Sequence, residues 1–350
     1  TPPNHTLYSS SAASDVYKRQ VFRITWWVGL RAALAGAVVL AAATAYYVAQ
    51  LPSYGELVDG REGGSVTLLD RSGEVFAWRG EQFNVITSPA QVSPHLRNAI
   101  IATEDRRFYR HLGVSPRGVA SAVAINLREG RGPLSGHGGS TLTQQTAKLL
   151  CLGVPYDPAV WKTEEEYESD CRRTTISRKL KEAIYALAME VKYTKDEILT
   201  IYLNRAYLGA STRGFQAASQ RYFGINAAEL DPAQAAMLAG LLVAPTRFAP
   251  TNNLARSQER AATVIKLMYE QGFITLEQRD AAWARPATLS EAAQARAGGY
   301  FADWVMEAGP AYLTRDTTED VILFTTLDQN IQRHAEEALA FIFSEKVRQG

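Results

Sequence analysis

The sequence predicts a mainly α-helical chain with an N-terminal transmembrane helix and a small β element ahead of the helical domain. Three observations carry this reading. An uncharged apolar run fills residues 32–49. Two β-branched segments flank Arg71-Ser72-Gly73. From Ser93 onward, apolar residues recur at helical spacing in one segment after another. The 350 residues hold one large domain plus smaller pieces. A formal net charge of +1 gives no reason to expect nucleic acid as a partner, although a local basic cluster can still grip a phosphate.

Residues 1–20 are polar and unpatterned and are expected to be disordered. Within them, SSAASDVYKRQ resembles a translated cloning adaptor and is given no function. Residues 21–50 are expected to form a cytoplasmic stub and the transmembrane helix. The run AALAGAVVLAAATAYYVA, extended backwards by Trp26, Trp27 and Val28, meets the ~20 residues needed to span the hydrocarbon core. Arg31 can snorkel to one interface, and Tyr46 and Tyr47 sit near the other. Lys18, Arg19, Arg23 and Arg31 precede the span, whereas Glu56, Asp59 and Glu62 follow it. The positive-inside rule then puts the N-terminus in the cytoplasm and the chain after about residue 50 outside. A cleaved signal peptide is the alternative, but no convincing small-residue cleavage site follows the run.

Residues 51–92 form a lead-in, in which SVTLLD and EVFAW read as a short hairpin. The main helical domain is expected over 93–275. Ser93 is placed to cap its first helix, with Pro94 at the first helical position. Further helices are expected at about 115–128, 140–150, 175–192, 195–208, 213–222, 231–242 and 254–271, the 195–208 helix opened by a capping box at Thr194 and Glu197. The glycine-rich stretch 128–139 should be a mobile loop. Residues 276–350 read as a linker and the truncated start of a second unit, with a strand at 320–328 and a helix at 329–348.

Three segments carry chemistry. In the first, EDRRFYRHLG from Glu104, the residues Leu96, Ile100, Glu104 and Phe108 share one stripe at four-residue spacing. A carboxylate that continues an apolar stripe is desolvated, which raises its pKa and suits proton transfer. The bland alternative is a carboxylate satisfied by Arg107 or a helix end. In the second, GGSTLTQQTAK from Gly138, Ser140 can cap a helix that carries Thr141, Gln145 and Lys148 on one face. A helix N-terminus with hydroxyl, amide and ammonium groups can cradle a diphosphate; an ordinary capped amphipathic helix fits the same residues. In the third, RKLKE, Arg178 and Glu182 are an i, i+4 pair and Lys179 can turn to the same side. Here too a solvated charged face is the simpler reading.

Taken together, EDRRFYRHLG, GGSTLTQQ with its following lysine, RKLKE, KDEILTIYLN and RAATVI from Arg260 occur in an order that resembles the glycosyltransferase family 51 domain of class A penicillin-binding proteins, over roughly Leu68 to Ile274. FTTLDQNIQRHAEEAL resembles the linker into the penicillin-binding (transpeptidase) region. The resemblance implies a lysozyme-like, two-lobed, mostly helical glycosyltransferase at the cytoplasmic membrane, single-pass, with its catalytic domain outside. It implies that lipid II and the growing lipid-linked glycan are substrates, and that other cell-wall synthesis proteins are partners. Glu104 matches the general base. Glu182 matches a second essential carboxylate that helps hold the donor diphosphate, with a divalent metal (Mg or Mn) as an optional mediator. Ser140, Thr141, Gln145, Lys148, Arg178 and Lys179 match the donor site. Asp105, Phe108, His111, Asn204 and Arg260 match structural or supporting positions. A lytic transglycosylase of the same fold and an inactive cell-wall scaffold are the rival functions. The diphosphate-binding segment and the anchor speak against the first, and retention of Glu104 and Glu182 against the second. Transpeptidase activity is not expected, because residues 60–350 contain no Ser-x-x-Lys and no Lys-Thr-Gly.

The chain departs from the family pattern at Leu149, usually asparagine, and at Thr200, usually glutamate. Residues 151–173 form an insertion bounded by Cys151 and Cys171, the only cysteines. An oxidising compartment and the absence of an odd thiol favour a disulfide; two free cysteines are the alternative.

Overall fold

The computed structural model of the chain describes residues 10–58, 65–80, 86, 88–132, 139–171, 173, 175–210, 212–290, 293, 299–310 and 321–349. Residues 1–9, Asp59, Glu62 and the 133–138 part of the expected mobile loop lie outside the described residues.

The apolar run forms one long helix, α1 (Ser10–Gln50). It begins within residues 1–20, which were expected to be disordered, because Ala12 and Ala13 are good helix formers and an existing helix extends cheaply. Its Tyr17–Gln50 portion is long and apolar enough to cross a membrane, and its apolar stretch is not buried within the protein. Arg31 lays its guanidinium 3.3 Å from the centre of the Trp27 ring, a pairing suited to an interface.

The outer end of α1 is bolted to the helical domain. Tyr47 meets Tyr185 of α7 (Ile176–Lys192) edge-on, with ring centres 5.5 Å apart. Carbonyls at a helix end lack internal partners. Here the Lys192 ammonium donates to the Leu51 carbonyl, and the Tyr193 hydroxyl donates to Pro52 O at 2.6 Å. The short α2 (Tyr54–Val58) follows, and Arg205 at the end of α8 (Lys195–Arg205) donates to its Leu57 carbonyl at 3.3 Å.

The hairpin forms as expected, β1 (Ser65–Leu69) pairing antiparallel with β2 (Val75–Gly80). Asp70 organises its turn, accepting from the amides of Ser72 at 2.8 Å and Glu74 at 2.9 Å and from Gln329 Nε2 at 2.9 Å. Burial pushes this carboxyl up, but those hydrogen bonds outweigh it and the net direction is down. The strand read at 320–328 is β3 (Val321–Phe324), and it is not separate. It adds parallel to β1, with Val66 opposite Val321, giving the sheet order β2-β1-β3. Val66, Leu68, Phe76 and Ala77 then pack under Ala302 and Leu327 as a small core of their own. Arg221 bridges this unit to the helices, its guanidinium 4.5 Å from the Trp78 ring centre.

The main core is helical. At its centre, α10 (Pro232–Leu241) is buried nearly all round and packs on α3 (Pro94–Glu104) and α12 (Leu254–Glu270). The helical unit also includes α4 (Pro116–Arg128), α5 (Leu142–Leu149), α6 (Glu164–Cys171), α9 (Phe215–Phe223) and α11 (Pro245–Phe248). Ser93 caps α3, and Thr194 with Glu197 forms the capping box of α8. One detail differs from the expected stripe. The α-helix ends at Glu104, and Phe108 sits in a separate 3-10 turn, because Asp105 leaves helical geometry and turns its carboxylate to the start of α5.

Candidate active site

Leu96 and Ile100, both fully buried, clamp α3 into the core and deliver Glu104 at its last turn. Asp105 then ties that turn to α5. Its Oδ2 accepts from the Leu142 amide at 3.0 Å and pairs with His111 Nε2 at 2.8 Å. Phe108 is fully buried, with the Lys195 ammonium 4.6 Å from its ring centre. Asp105, Phe108 and His111 therefore fix the loop.

The cap of α5 is Thr141, not Ser140. Thr141 Oγ1 accepts from the Gln144 amide at 3.1 Å, Gln144 Oε1 accepts from the Thr141 amide at 3.0 Å, and the Thr141 hydroxyl donates to the Gly113 carbonyl. With 2% exposure and its hydroxyl spent inside, Thr141 shapes the site and leaves Ser140 to present an oxygen. Ser140 Oγ accepts from Lys179 Nζ at 2.6 Å. Gly139 permits this approach: a Cβ there would lie 2.6 Å from Val119 Cα on α4.

Two networks meet at this point. In the first, Gln145 Nε2 donates to Glu104 Oε2 at 2.8 Å, and the Tyr202 hydroxyl of α8 donates to Gln145 Oε1 at 3.3 Å. In the second, Glu182, only 1% exposed, receives the Lys179 ammonium on Oε1 and faces Arg178 Nη1 at 3.3 Å across Oε2. The Arg178 contact is an ion pair off the line of a hydrogen bond; the same side chain donates from Nε to the Arg173 carbonyl. Lys148 stands half-buried in the last turn of α5.

A cleft of about 390 Å³ opens between α4 and the start of α5. Glu104 forms part of its wall, with Ser140 beside it and Arg106, Arg107 and Arg117 around the rim. Arg107 does not neutralise Glu104; its guanidinium donates to Ser115. Burial pushes the Glu104 carboxyl up. The Gln145 hydrogen bond and the Arg260 charge oppose this, Asp105 adds to it, and the net direction is up. Arg260 thus acts on Glu104 from α12. Asn204 does not reach the site; it bonds Ile86 through both its amide ends, at 2.8 and 2.6 Å. Sequence reasoning missed Tyr202, hidden within the apolar side of KDEILTIYLN, and the cleft role of Arg106 and Arg117, whose only signal was their nearness to Glu104.

Comparison with known proteins is consistent with this arrangement. The family described as transglycosylase matches residues 72–269, which include both networks. The chain belongs to the transglycosylase family. Penicillin-binding protein 1A of Aquifex aeolicus is 34% identical over 78% of this chain and 35% of that protein. The Neisseria flavescens protein of the same name is 35% identical over 90% of this chain and 38% of that protein. The Escherichia coli one is 32% identical over 84% and 32%. This transglycosylase chain spans about a third of the length of the curated relatives it matches.

Among the described residues, the transglycosylase site presents no metal-ligand set. Both Glu182 oxygens face cations, and among the described residues no three His, Cys, Asp or Glu side chains are grouped to hold an ion. The insertion is closed by a disulfide between Cys151 and Cys171, with Cα atoms 5.2 Å apart, tying the end of α5 to the end of α6.

Proposed function

We propose that this chain is a membrane-anchored peptidoglycan glycosyltransferase that polymerises lipid II. The observation that carries the reading is Glu104: a carboxyl with raised proton affinity, in the wall of an arginine-rimmed cleft, next to a cationic group built from Ser140, Arg178 and Lys179. Glu104 takes the proton from the 4-hydroxyl of the acceptor sugar. That oxygen forms the new bond to the anomeric carbon of the growing glycan, the bond from that carbon to undecaprenyl diphosphate breaks, and the configuration inverts. The departing diphosphate gains negative charge, which Lys179, Arg178, Lys148 and the Ser140 hydroxyl are suited to meet. Glu182, buried between two cations, aims them and keeps their mutual repulsion in check. Thr141 and Gln145 contribute by holding α5 and Glu104 in place.

Family membership and the name shared by the relatives support this reading. So does α1, which suits a substrate whose lipid tail stays in the bilayer, with the catalytic domain on the outer face. The test is polymerisation of labelled lipid II by the purified, detergent-solubilised chain. Glu104→Gln keeps size and hydrogen bonding but cannot take the proton, and turnover should fall by about 100- to 10,000-fold. Binding of a donor analogue should survive. Near-normal turnover in this variant would remove Glu104 from the mechanism.

A further inference from the structure

Tyr202 lies on α8 with 3% exposure, its ring in the main core and its hydroxyl at the inner end of the Glu104 network. We propose that Tyr202 is a positioning residue for Glu104, acting by fixing which end of the Gln145 amide faces the carboxylate; this rests on Glu104 being the base. A glutamine amide has one accepting end and one donating end, of nearly equal size. With Tyr202 donating to Oε1 at 3.3 Å, Nε2 is left to donate to Glu104 at 2.8 Å. Turned over, the amide would set its carbonyl oxygen against the carboxylate. That is repulsive while Glu104 is ionised and favourable only once it is protonated. The phenol selects the first orientation, because among the described residues its hydrogen has no other acceptor, and a buried unpaired hydroxyl is costly. Burial and the nearby Glu104 charge push the Tyr202 phenol well above its usual range, so it remains a donor wherever the enzyme works.

Other groups also act on Glu104, and none duplicates this. Asp105 adjoins it just past the end of α3, and Arg260 approaches from α12. Arg106, Arg107 and Arg117 share the cleft. Lys148 lies a turn beyond Gln145 on α5, and α10, which packs on α3, carries no titratable side chain. These groups bias the charge of Glu104 directly, whereas Tyr202 acts through the orientation of one amide.

The experiment measures the pH dependence of kcat for polymerisation of labelled lipid II by the full chain. Losing one net hydrogen bond to the ionised carboxylate should move the acidic limb of Tyr202→Phe upward by about one pH unit, or about tenfold in rate at the foot of that limb. KM should hold. Tyr202→Phe in a Gln145→Ala background should add no further shift, because the intermediary is gone. Incorporating 3-fluorotyrosine at 202, which keeps the ring and strengthens its donor, should move the limb the other way. A Tyr202→Phe limb that superimposes on the wild type, or shifts that add in the double variant, would reduce Tyr202 to core packing. The base assignment fails separately, by Glu104→Gln remaining active. An inactive Glu104→Gln with an unmoved Tyr202→Phe profile sinks only the role given to Tyr202.

Discussion

Glu104 works against the fold that holds it. Its folded-state pKa is raised by burial, so the native state binds this proton more tightly than the unfolded chain does. The stability linked to this group is therefore fully present below its unfolded pKa and is lost as pH rises through the folded value. Glu104→Gln is neutral at every pH. Its melting temperature should exceed that of the wild type near neutral pH, and the gap should close on acidification; a gap that stays constant or reverses would contradict the burial argument. At this scale Glu104 stood out as a carboxylate ending an apolar stripe, whereas Arg178, Lys179 and Glu182 read alone as a solvated charged face and were singled out only by the family resemblance. The Thr141 cap was not legible. Both Ser140 and Thr141 are competent caps, and the Thr141 hydroxyl is also engaged by the Gly113 carbonyl, a contact 28 residues away in the chain. Tyr202 was hidden for a related reason, since an aromatic on an apolar face reads as core until its hydroxyl finds a partner.

The elements show how α5 and α7 are held in relation to each other. Immediately after α5, Cys151, Leu152 and Gly153 take φ of 47°, 56° and 78°, three left-handed residues in succession. Only the last is a glycine, so the turn is disfavoured locally and must be held from outside. The disulfide holds one side. On the other, Gly153 packs on Tyr185 of α7, where a Cβ would lie 3.0 Å from the phenol oxygen. Replacing both cysteines by alanine should lower stability by about 3 kcal/mol for a loop of this size, seen as a lower denaturant midpoint. Gly153→Ala should cost about 1–2 kcal/mol by the same measurement, through the left-handed conformation and the Tyr185 contact together. No change in either would mean that the turn is held by something else. The helices themselves were readable from their caps and apolar periods. The end of α3 was not, because the stripe runs on to Phe108 while the Asp105 carboxylate is recruited by α5, a contact between segments far apart in the chain.

For the whole molecule, the anchor and the catalytic helices form one connected piece, through Tyr47 on Tyr185 and Lys192 on the end of α1. The hairpin and the C-terminal strand were each legible from β-branched pattern, but their union was not, since nothing local encodes a partner lying beyond an entire helical domain. That union sets an order of events. A two-stranded hairpin alone is marginal in water, and the third strand lies at the far end of the described chain. In refolding followed by pulsed hydrogen exchange, the amides of Ser65–Leu69 should gain protection after those of α10, and protection at the same time would refute this. During synthesis the consequence is one of timing. From the moment β1 is made until Val321 arrives, one edge of that strand is unclaimed and open to any extended peptide. The newborn chain therefore passes through an interval of vulnerability to mispairing that lasts until translation reaches Val321.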